Sequence, residues 1–267
     1  MATLARSIDT PAISIQDVGK QFVTSSGESV QALAGVNLEI GAGEFLSILG
    51  PSGCGKSTLL RIIDGLIEAD TGSVTIAGEP VRGPGPDRAM VFQNFALLPW
   101  LSVVENIMFP LEVRRIPKDR RRELAEQALA TVGLSAFAKH YPRTLSGGMQ
   151  QRVGLARALA VEPAILLMDE PFGALDALTR ATLQDELLTV WSRDRKTAVF
   201  VTHAIDEAVY LSDRVAVMSA HPGQVMEVVE IPLDRNREAS IRDEPEFAEI
   251  VTNLRHMLHS PGVGTPR

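Results

Sequence analysis

The sequence has little that would suit a secreted, membrane-spanning or nucleic-acid-binding protein. Cys54 is the one cysteine among 267 residues, so an internal disulfide framework is excluded and a reducing compartment fits best. No apolar run reaches the length needed to cross a bilayer. Positive charge is not in excess, and the formal net charge of −7 argues against binding nucleic acid by phosphate neutralisation. We therefore expect a cytoplasmic protein without a nucleic-acid partner.

What the chain does have is enough apolar residues, 45% of the total, to build a sizeable core. Its length suits one large α/β domain, or one domain with a smaller insert. Short β-rich runs predict strands at 13–18, 36–40, 45–49, 73–77, 89–92, 165–169, 197–202 and 214–219. The runs at 45–49, 165–169 and 197–202 are apolar on both faces, which is typical of central strands covered by helices.

Between 103 and 160 the pattern is helical and is punctuated by Pro110, Pro117 and Pro142. We interpret this as a helical insert at about 95–160 within a β-rich and α/β core. A polar C-terminal tail follows from 233 to 267, with a helical stretch near "PEFAEIVTNLRHML".

The stretch "GPSGCGKST" matches the phosphate-binding pattern G-x-x-x-x-G-K-[ST] between a predicted strand and a predicted helix. Glycines allow a tight turn with inward-pointing N–H groups, and the helix N-terminus favours an anion. Lys56 offers a charge to the β- and γ-phosphates, and Ser57 offers a hydroxyl to Mg²⁺. A chance glycine-rich turn is the alternative, which the flanking strand and helix disfavour. The predicted nucleotide-binding residues are Gly50, Pro51, Ser52, Gly53, Cys54, Gly55, Lys56, Ser57 and Thr58.

Cys54 lies inside this loop, where a helix N-terminus can lower the pKa of a thiol. A catalytic thiol would need a partner base, so we favour a small residue whose backbone N–H is the functional group.

Two carboxylates, Asp169 and Glu170, end the apolar run "AILLMDEP". Alternation along a strand would aim them to opposite sides. Asp169 is then the metal-side residue, and Glu170 is the general base that reaches the attacking water. The alternative is an ordinary solvated pair at a strand end.

Gln93 and His203 each follow a predicted strand. The Gln93 amide could touch Mg²⁺ and the attacking water, or it could cap the next turn. His203, at the carboxyl end of its strand, is placed to contact a γ-phosphate, although a lone histidine is more often structural.

The stretch "LSGGMQQR" presents a second anion-binding helix start, with Ser146, Gly147 and Gly148. A single ATP cannot easily need two distant phosphate-facing surfaces from one subunit. In a head-to-tail pair with two-fold symmetry, each ATP would meet the phosphate loop of one subunit and Ser146–Gly148 of the other.

Together these motifs, over about 20–220, resemble the ATP-binding subunit of an ABC transporter. They follow the order of that family: Walker A loop (50–58), Q-loop (Gln93), signature (145–152), Walker B strand (165–169), D-loop (173–176) and H-loop (His203). Met149 and Gly173 depart from the commonest residues of the signature and the D-loop. They flank the phosphate contacts, so we expect little loss.

The resemblance implies a P-loop NTPase (RecA-like) α/β core with an antiparallel β subdomain and a helical insert that carries the signature. The ATPase domain would span 12–232. ATP and Mg²⁺ are the implied cofactors, and Glu170, His203 and Lys56 the implied catalytic residues. Phe22 would stack on adenine, and Asp176 of the D-loop would also line the nucleotide. The implied metal-binding residues are Ser57, Gln93 and Asp169.

A finer resemblance, carried by "GPGPDRAMVFQNFALLPWLSVVENI" (83–107), is to importer subunits of the nitrate, sulfonate and taurine group. It implies a second, identical ATPase subunit, membrane-spanning permease subunits and, indirectly, a substrate-binding protein. The expected location is the cytoplasmic face of the inner membrane. The alternatives are a P-loop kinase or GTPase, which would leave the signature unexplained, and a soluble ABC ATPase acting on DNA or ribosomes.

The segment just after Gln93 holds several apolar side chains, among them Trp100 after Pro99. We hypothesise that the segment around Trp100 lines a groove for a short cytoplasmic helix of the permease. The alternative, strongest for Leu97 and Leu98, is that these side chains pack the helical insert.

Overall fold

The computed structural model describes residues 11–173, 175–235 and 237–259, with side chains at all of these except 193 and 194. Within these ranges the chain forms ten β-strands and seven α-helices. The strands are β1 (Ile13–Val23), β2 (Ser29–Ile40), β3 (Phe45–Leu49), β4 (Thr71–Ile76), β5 (Glu79–Pro80), β6 (Arg88–Val91), β7 (Ile165–Asp169), β8 (Thr197–Thr202), β9 (Arg214–Met218) and β10 (Val225–Glu230). The helices are α1 (Lys56–Asp64), α2 (Val103–Val113), α3 (Lys118–Thr131), α4 (Gly147–Ala160), α5 (Ala177–Asp194), α6 (Ile205–Leu211) and α7 (Pro245–His259).

The central sheet has the strand order β10-β9-β3-β8-β7-β6, and every neighbouring pair in it is parallel except β10 with β9. Strands β3, β7 and β8 are buried along their whole length, so the prediction of three central strands is confirmed. Their side chains are apolar on both faces because helices cover both sides of a parallel sheet. Strand β10, whose side chains are mostly half-buried or exposed, was not predicted.

A second sheet, with the order β2-β1-β4-β5, is antiparallel throughout. Along the second half of β2, buried positions alternate with more exposed ones, as expected when one face of a sheet is covered. That covered face shares one apolar cluster with Leu59, Leu60 and Ile63 of α1. The α/β class is therefore confirmed, with the antiparallel sheet packed against the helix that follows β3.

Helices α2, α3 and α4 lie between β6 and β7 in the chain and pack against one another. Pro117 immediately precedes α3, as the proline pattern predicted, but Pro110 lies inside α2 and does not end it. Ile107 and Leu111 flank the proline and are fully buried, and their packing holds the helix together. The limits of the insert, about 95–160, and of the ATPase domain, 12–232, remain predictions.

The segment after β10 packs against the end of α6 and is held there by Arg237. Its guanidinium donates hydrogen bonds of 2.8 Å to the carbonyl oxygens of Val209, Tyr210 and Ser212. Burial lowers the pKa of this guanidinium. Helix α7 forms over the predicted helical stretch and buries Phe247, Val251 and Leu254. Position 236 and residues 260–267 of the predicted tail lie outside the described residues.

None of the helices in the described ranges is long and apolar enough to span a bilayer.

The segment before α2 is held by one fully buried amide, that of Asn106. Its Oδ1 accepts a hydrogen bond of 2.8 Å from the Leu98 N–H. Its Nδ2 lies 3.1 Å from the Leu98 carbonyl oxygen and 3.0 Å from those of Leu101 and Ser102. Ser102 caps α2 together with Glu105 in a reciprocal capping box. The loop 98–102 is thus shaped by backbone hydrogen bonds to a side chain that no water reaches.

Truncation of this amide is expected to destabilise the protein markedly. Asn106→Ala removes the side-chain partner of the Leu98 N–H and of the Leu101 carbonyl oxygen, which should lower the free energy of unfolding by about 2–3 kcal/mol. Chemical denaturation measures the change. Val113→Ala, at an exposed position on the same helix, is the matched control and should unfold like the wild type. An Asn106→Ala midpoint equal to that of the control would contradict the proposed role of the amide.

Candidate nucleotide site

The loop 50–55 joins β3 to α1, and its glycines are required by its shape. Gly53 and Gly55 have positive φ angles of 78° and 100°, a region that favours glycine. A Cβ at Gly55 would lie 2.7 Å from the carbonyl oxygen of Ala32, and one at Gly50 would lie 2.9 Å from Cys54 Sγ. The first turn of α1 carries no acidic side chain. The loop and the helix start can therefore offer N–H groups to an anion without local repulsion.

Lys56 is almost fully buried, and its ammonium group turns back over the loop. Its Nζ donates hydrogen bonds of 2.8 Å to the carbonyl oxygens of Gly50 and Pro51. Cys54 Sγ lies 3.9 Å from the same nitrogen, and burial raises the pKa of its thiol. A buried thiol with a raised pKa is a poor nucleophile. The position of Cys54 therefore supports a role for its backbone rather than its sulfur.

Asp169 faces the phosphate loop at the end of β7. Its Oδ1 accepts a hydrogen bond of 2.6 Å from Ser57 Oγ, and its Oδ2 lies 3.9 Å from an Arg61 nitrogen. Burial raises the pKa of this carboxyl, and the Ser57 hydroxyl and Arg61 oppose that shift. The structure thus brings together two of the predicted metal-binding residues. Arg61 was missed by the sequence analysis, although its position one helical turn after Ser57 was a usable signal.

Glu170 follows the last residue of β7, and its side chain points away from Ser57 and toward Gln93 and His203. Its φ is 43°, in the left-handed region, and its N–H donates to the Val201 carbonyl oxygen at 3.0 Å. Its Oε2 accepts a hydrogen bond of 3.3 Å from Gln93 Nε2 and lies 3.2 Å from His203 Nδ1. Glu170, Gln93 and His203 therefore converge.

The two carboxylates lie on opposite sides, as expected, but strand alternation is not the cause. Strand β7 ends at Asp169, so Glu170 is not part of the alternation. The left-handed backbone at Glu170 directs its side chain to Gln93 and His203, while Asp169 remains with Ser57. Gln93 contacts Glu170 in the structure, and its assignment as a metal ligand remains a prediction.

The signature residues lie at the start of α4. Ser146 Oγ accepts a hydrogen bond of 3.3 Å from the Met149 N–H and caps the helix. Gly147 is open, because a Cβ there would meet nothing within 4 Å. A Cβ at Gly148 would lie 2.8 Å from Thr179 at the start of α5. Within the described chain, Ser146 and Gly148 contact these neighbours and not residues 50–58.

Asp176 and Phe22 occupy exposed positions. Asp176 caps α5 by accepting a hydrogen bond of 3.0 Å from the Thr179 N–H, and this bond holds the pKa of its carboxyl below the usual range. Phe22 lies on β1 with 41% of its surface exposed, and Lys20 Nζ is 5.7 Å from its ring centroid. An exposed ring on a rigid strand is available for stacking.

A groove with a cavity volume of about 570 Å³ lies beside the segment that follows Gln93. Apolar side chains dominate its walls: Met90, Phe92, Leu98, Phe109 and Val113 are among them. Arg157 of α4 also lines it and donates hydrogen bonds of 2.9 and 2.7 Å to the carbonyl oxygens of Phe95 and Ala96. Trp100, with 70% of its surface exposed, is not among the lining residues, whereas Leu97 packs on the core.

Comparisons with known proteins agree with this geometry. Residues 33–173 match the model of the ABC transporter family. The chain is 42% identical to the nitrate import ATP-binding protein of Synechococcus elongatus, over 97% of this chain and 96% of that one. It is 48% identical to the taurine import ATP-binding protein of Chromobacterium violaceum, over 85% and 89%.

Among solved structures, a dimeric ATP-binding cassette in a post-hydrolysis state, bound to ADP and phosphate, superposes with a TM-score of 0.75 at 36% identity. The match covers 83% of this chain and all of that one. The phosphate loop, the helical region and the paired sheets are thus those of a P-loop NTPase cassette. The chain belongs to the ABC transporter family as one of its ATP-binding subunits, and it is an ATPase.

Proposed function

We propose that this subunit powers an importer, and that two copies enclose ATP between the phosphate loop of one and Ser146–Gly148 of the other. The observation that carries the proposal is the crevice at the carboxyl ends of the parallel strands. There Ser57 meets Asp169 on one side, and Gln93 and His203 meet Glu170 on the other. Ligands of open α/β sheets bind at this edge.

In this proposal Glu170 is the general base. Its carboxylate accepts the proton of the water that attacks the γ-phosphorus, while Gln93 and His203 fix the carboxylate from two sides. His203, more than half exposed at the crevice, is placed to hold a γ-phosphate oxygen as well. Lys56 and the N–H groups of the loop bind the phosphates. The bond between the β–γ bridging oxygen and the γ-phosphorus breaks, and ADP and phosphate leave.

Mg²⁺ is the metal that fits the residues beside the phosphate loop. The donors there are the Ser57 hydroxyl and an Asp169 carboxylate oxygen, 2.6 Å apart, and hard oxygen donors are those that Mg²⁺ prefers. A magnesium ion bound with ATP would neutralise charge on the phosphates. Burial makes the Asp169 carboxylate costly to ionise alone, so a nearby cation stabilises its charged form.

The two-copy arrangement is supported by the lack of contact between the phosphate loop and residues 146–148 within the described part of one chain. Ser146 and Gly147 are exposed at a helix start, and Leu178 close by on α5 has 79% of its surface exposed. An apolar side chain that exposed, next to Asp176, suits an interface between copies. The dimeric form of the similar cassette bound to ADP and phosphate is consistent with it.

The groove beside Gln93 is the proposed docking site for the permease. Its walls are apolar, it is of a size for one helix turn, and its rim is continuous with the segment of the exposed Trp100. Through Arg157, the carbonyl groups of Phe95 and Ala96 are tied to α4, whose first turn carries the signature. A change at the γ-phosphate can therefore reach the groove and the second copy together. In this proposal the subunit is peripheral on the cytoplasmic face of the membrane.

The transported substrate is proposed to be a small anion or zwitterion such as nitrate, a sulfonate or taurine. This rests on the two import proteins to which the chain is similar over 97% and 85% of its length. Residues that contact such a substrate would belong to the permease and to a substrate-binding protein. The net charge of −7 disfavours a soluble ATPase that acts on nucleic acid.

Removal of the proposed base should stop turnover without stopping ATP binding. Glu170→Gln keeps the shape and the contacts to Gln93 and His203 but loses basicity, so kcat should fall by about 100-fold or more. Lys56→Ala should instead weaken nucleotide binding itself. Steady-state phosphate release and equilibrium binding of a fluorescent ATP analogue separate the two effects. Near-normal hydrolysis by Glu170→Gln would remove Glu170 from this role.

Trapped ATP should hold two copies together. In the Glu170→Gln background the protein should be largely monomeric without nucleotide and dimeric with ATP, as light scattering can measure. Ser146→Arg fills the space for the phosphates and should block the dimer. Val113→Arg places the same side chain on α2, in the groove assigned to the permease, and should leave the dimer intact. A monomer that persists with ATP at high concentration in the Glu170→Gln background would refute the composite site.

Loss of Trp100 should affect coupling and not folding. Because the ring is mostly exposed, Trp100→Ala should change the free energy of unfolding by less than about 0.5 kcal/mol and keep basal hydrolysis. Assembly with the permease, or transport by the reconstituted complex, should be reduced. Met226→Ala removes another exposed apolar side chain, on β10, and serves as the control. Unchanged transport by Trp100→Ala would place the permease contact elsewhere.

A further inference from the structure

Arg180 and Glu207 lie between Leu175 and His203. Arg180 is in the first turn of α5, and its Nη2 donates a hydrogen bond of 2.8 Å to the Leu175 carbonyl oxygen. Glu207 is in the first turn of α6, and its Oε1 is 3.7 Å from Arg180 Nε. The Glu207 side chain is 9% exposed and that of Arg180 is 36% exposed. One ion pair thus joins the starts of two helices.

On its other side, Glu207 binds Thr202, which in turn binds the residue that follows His203. Its Oε2 accepts a hydrogen bond of 2.7 Å from Thr202 Oγ1. The same Thr202 oxygen accepts a hydrogen bond of 3.0 Å from the Ala204 N–H. His203 in turn lies 3.2 Å from the Glu170 carboxylate. Polar contacts therefore link the Leu175 carbonyl to the backbone beside His203, with one gap between Arg180 and Glu207. The His203 side chain then reaches the proposed base.

The ion pair is incomplete in the single chain. Burial raises the pKa of the Glu207 carboxyl, and the Thr202 hydroxyl and Arg180 oppose this shift. Arg180 Nε is buried and has no hydrogen-bond partner among the described residues. Its distance of 3.7 Å from Glu207 Oε1 exceeds a hydrogen bond by about half an ångström, so a small shift of the first turn of α5 would complete one.

We infer that Arg180 and Glu207 are positioning residues that transmit closure of the dimer at the loop of Leu175 and Asp176 to His203 of the same chain. Pressure of the second copy on this loop moves the Leu175 carbonyl and Arg180 together, and the Arg180–Glu207 hydrogen bond forms. Glu207 then fixes Thr202, whose hydroxyl oxygen binds the Ala204 N–H, and His203 is held against Glu170. The inference rests on the proposed function, because it assumes that Glu170 and His203 act in hydrolysis and that two copies meet at this loop.

The test compares kinetic constants of the full-length protein with ATP as substrate. Glu207→Gln keeps an acceptor for Thr202 but loses the charge, and Arg180→Met keeps the volume but loses both contacts. Each should lower kcat about tenfold, or about 1.4 kcal/mol in the barrier, with the KM for ATP within about twofold. Because the two residues act as one unit, the double variant should be no slower than the more impaired single variant.

Tyr210→Phe is the matched control. It removes a hydrogen bond of 2.7 Å between Tyr210 and Asp185, which also joins α5 to α6 but does not involve Thr202 or His203. The melting temperature should fall as for the other variants, while kcat stays within about twofold of the wild type. An equal loss of kcat in Tyr210→Phe would overturn the inference, since helix packing alone would then explain the effect.

Two further results would overturn it: wild-type kcat in both single variants, or losses that multiply in the double variant. If Glu207→Gln fails to fold, Arg180→Met decides the outcome, because its side chain is over a third exposed. Glu170→Gln is measured in the same assay. Retained hydrolysis there contradicts the proposed function, whereas abolished hydrolysis there with normal Arg180→Met turnover contradicts the positioning role alone.

Discussion

The register of the parallel strands is the constraint on which the site depends. Leu49 at the end of β3 pairs with Thr202 at the end of β8, and Asp169 at the end of β7 pairs with Val201. The segments that leave these strands therefore emerge side by side. Since successive side chains point to opposite faces, a slip of one residue would exchange the buried faces of a strand. The buried apolar residues on both faces of β3, β7 and β8 fix the register, and with it the crevice between the phosphate loop, Glu170 and His203.

Arginine guanidinium groups bind backbone carbonyl groups in the segments around the site and at the end of α6. Arg157 binds carbonyl groups just after Gln93, Arg180 binds the Leu175 carbonyl, and Arg237 binds three carbonyl groups at the end of α6. Loop carbonyl groups near the core are costly without partners, and one guanidinium offers five N–H donors in a fixed plane. Burial lowers the pKa of Arg157 and Arg237, yet arginine keeps its charge in proteins. The carbonyl groups of these segments thereby have partners, and their backbone takes a defined shape.

The sequence was sufficient to predict the local parts of this site. The phosphate loop could be predicted because its glycines, Lys56 and Ser57 lie in one short stretch between a predicted strand and a predicted helix. The structure has this stretch between β3 and the first turn of α1. The central strands could be predicted because both of their faces are apolar. The left-handed backbone at Glu170 could not be predicted, because no local sequence pattern marks it and its N–H bonds to Val201 on another strand. The ion pair of Arg180 with Glu207 joins positions 27 residues apart on two helices, and no local pattern marks it.

The proposed composite site follows from an arrangement in which neither half of the phosphate contacts is complete in one copy. Ser146 and Gly147 are rigid at a capped helix start, so they cannot fold back onto residues 50–58 without unwinding α4. A second copy can bring the same groups to the phosphates as rigid bodies, at no cost in helix structure. In this proposal ATP bound to one copy gains its contacts with residues 146–148 of the second copy only when the two copies come together. In the proposed dimer, hydrolysis removes the γ-phosphate that both copies would share, and the closed state loses the contacts that favoured it. Because the carbonyl groups next to Gln93 are tied through Arg157 to the helix of the signature, the proposal has the groove beside them move with that closure. In this way the chemistry of a phosphate bond becomes a displacement at a surface outside the nucleotide site.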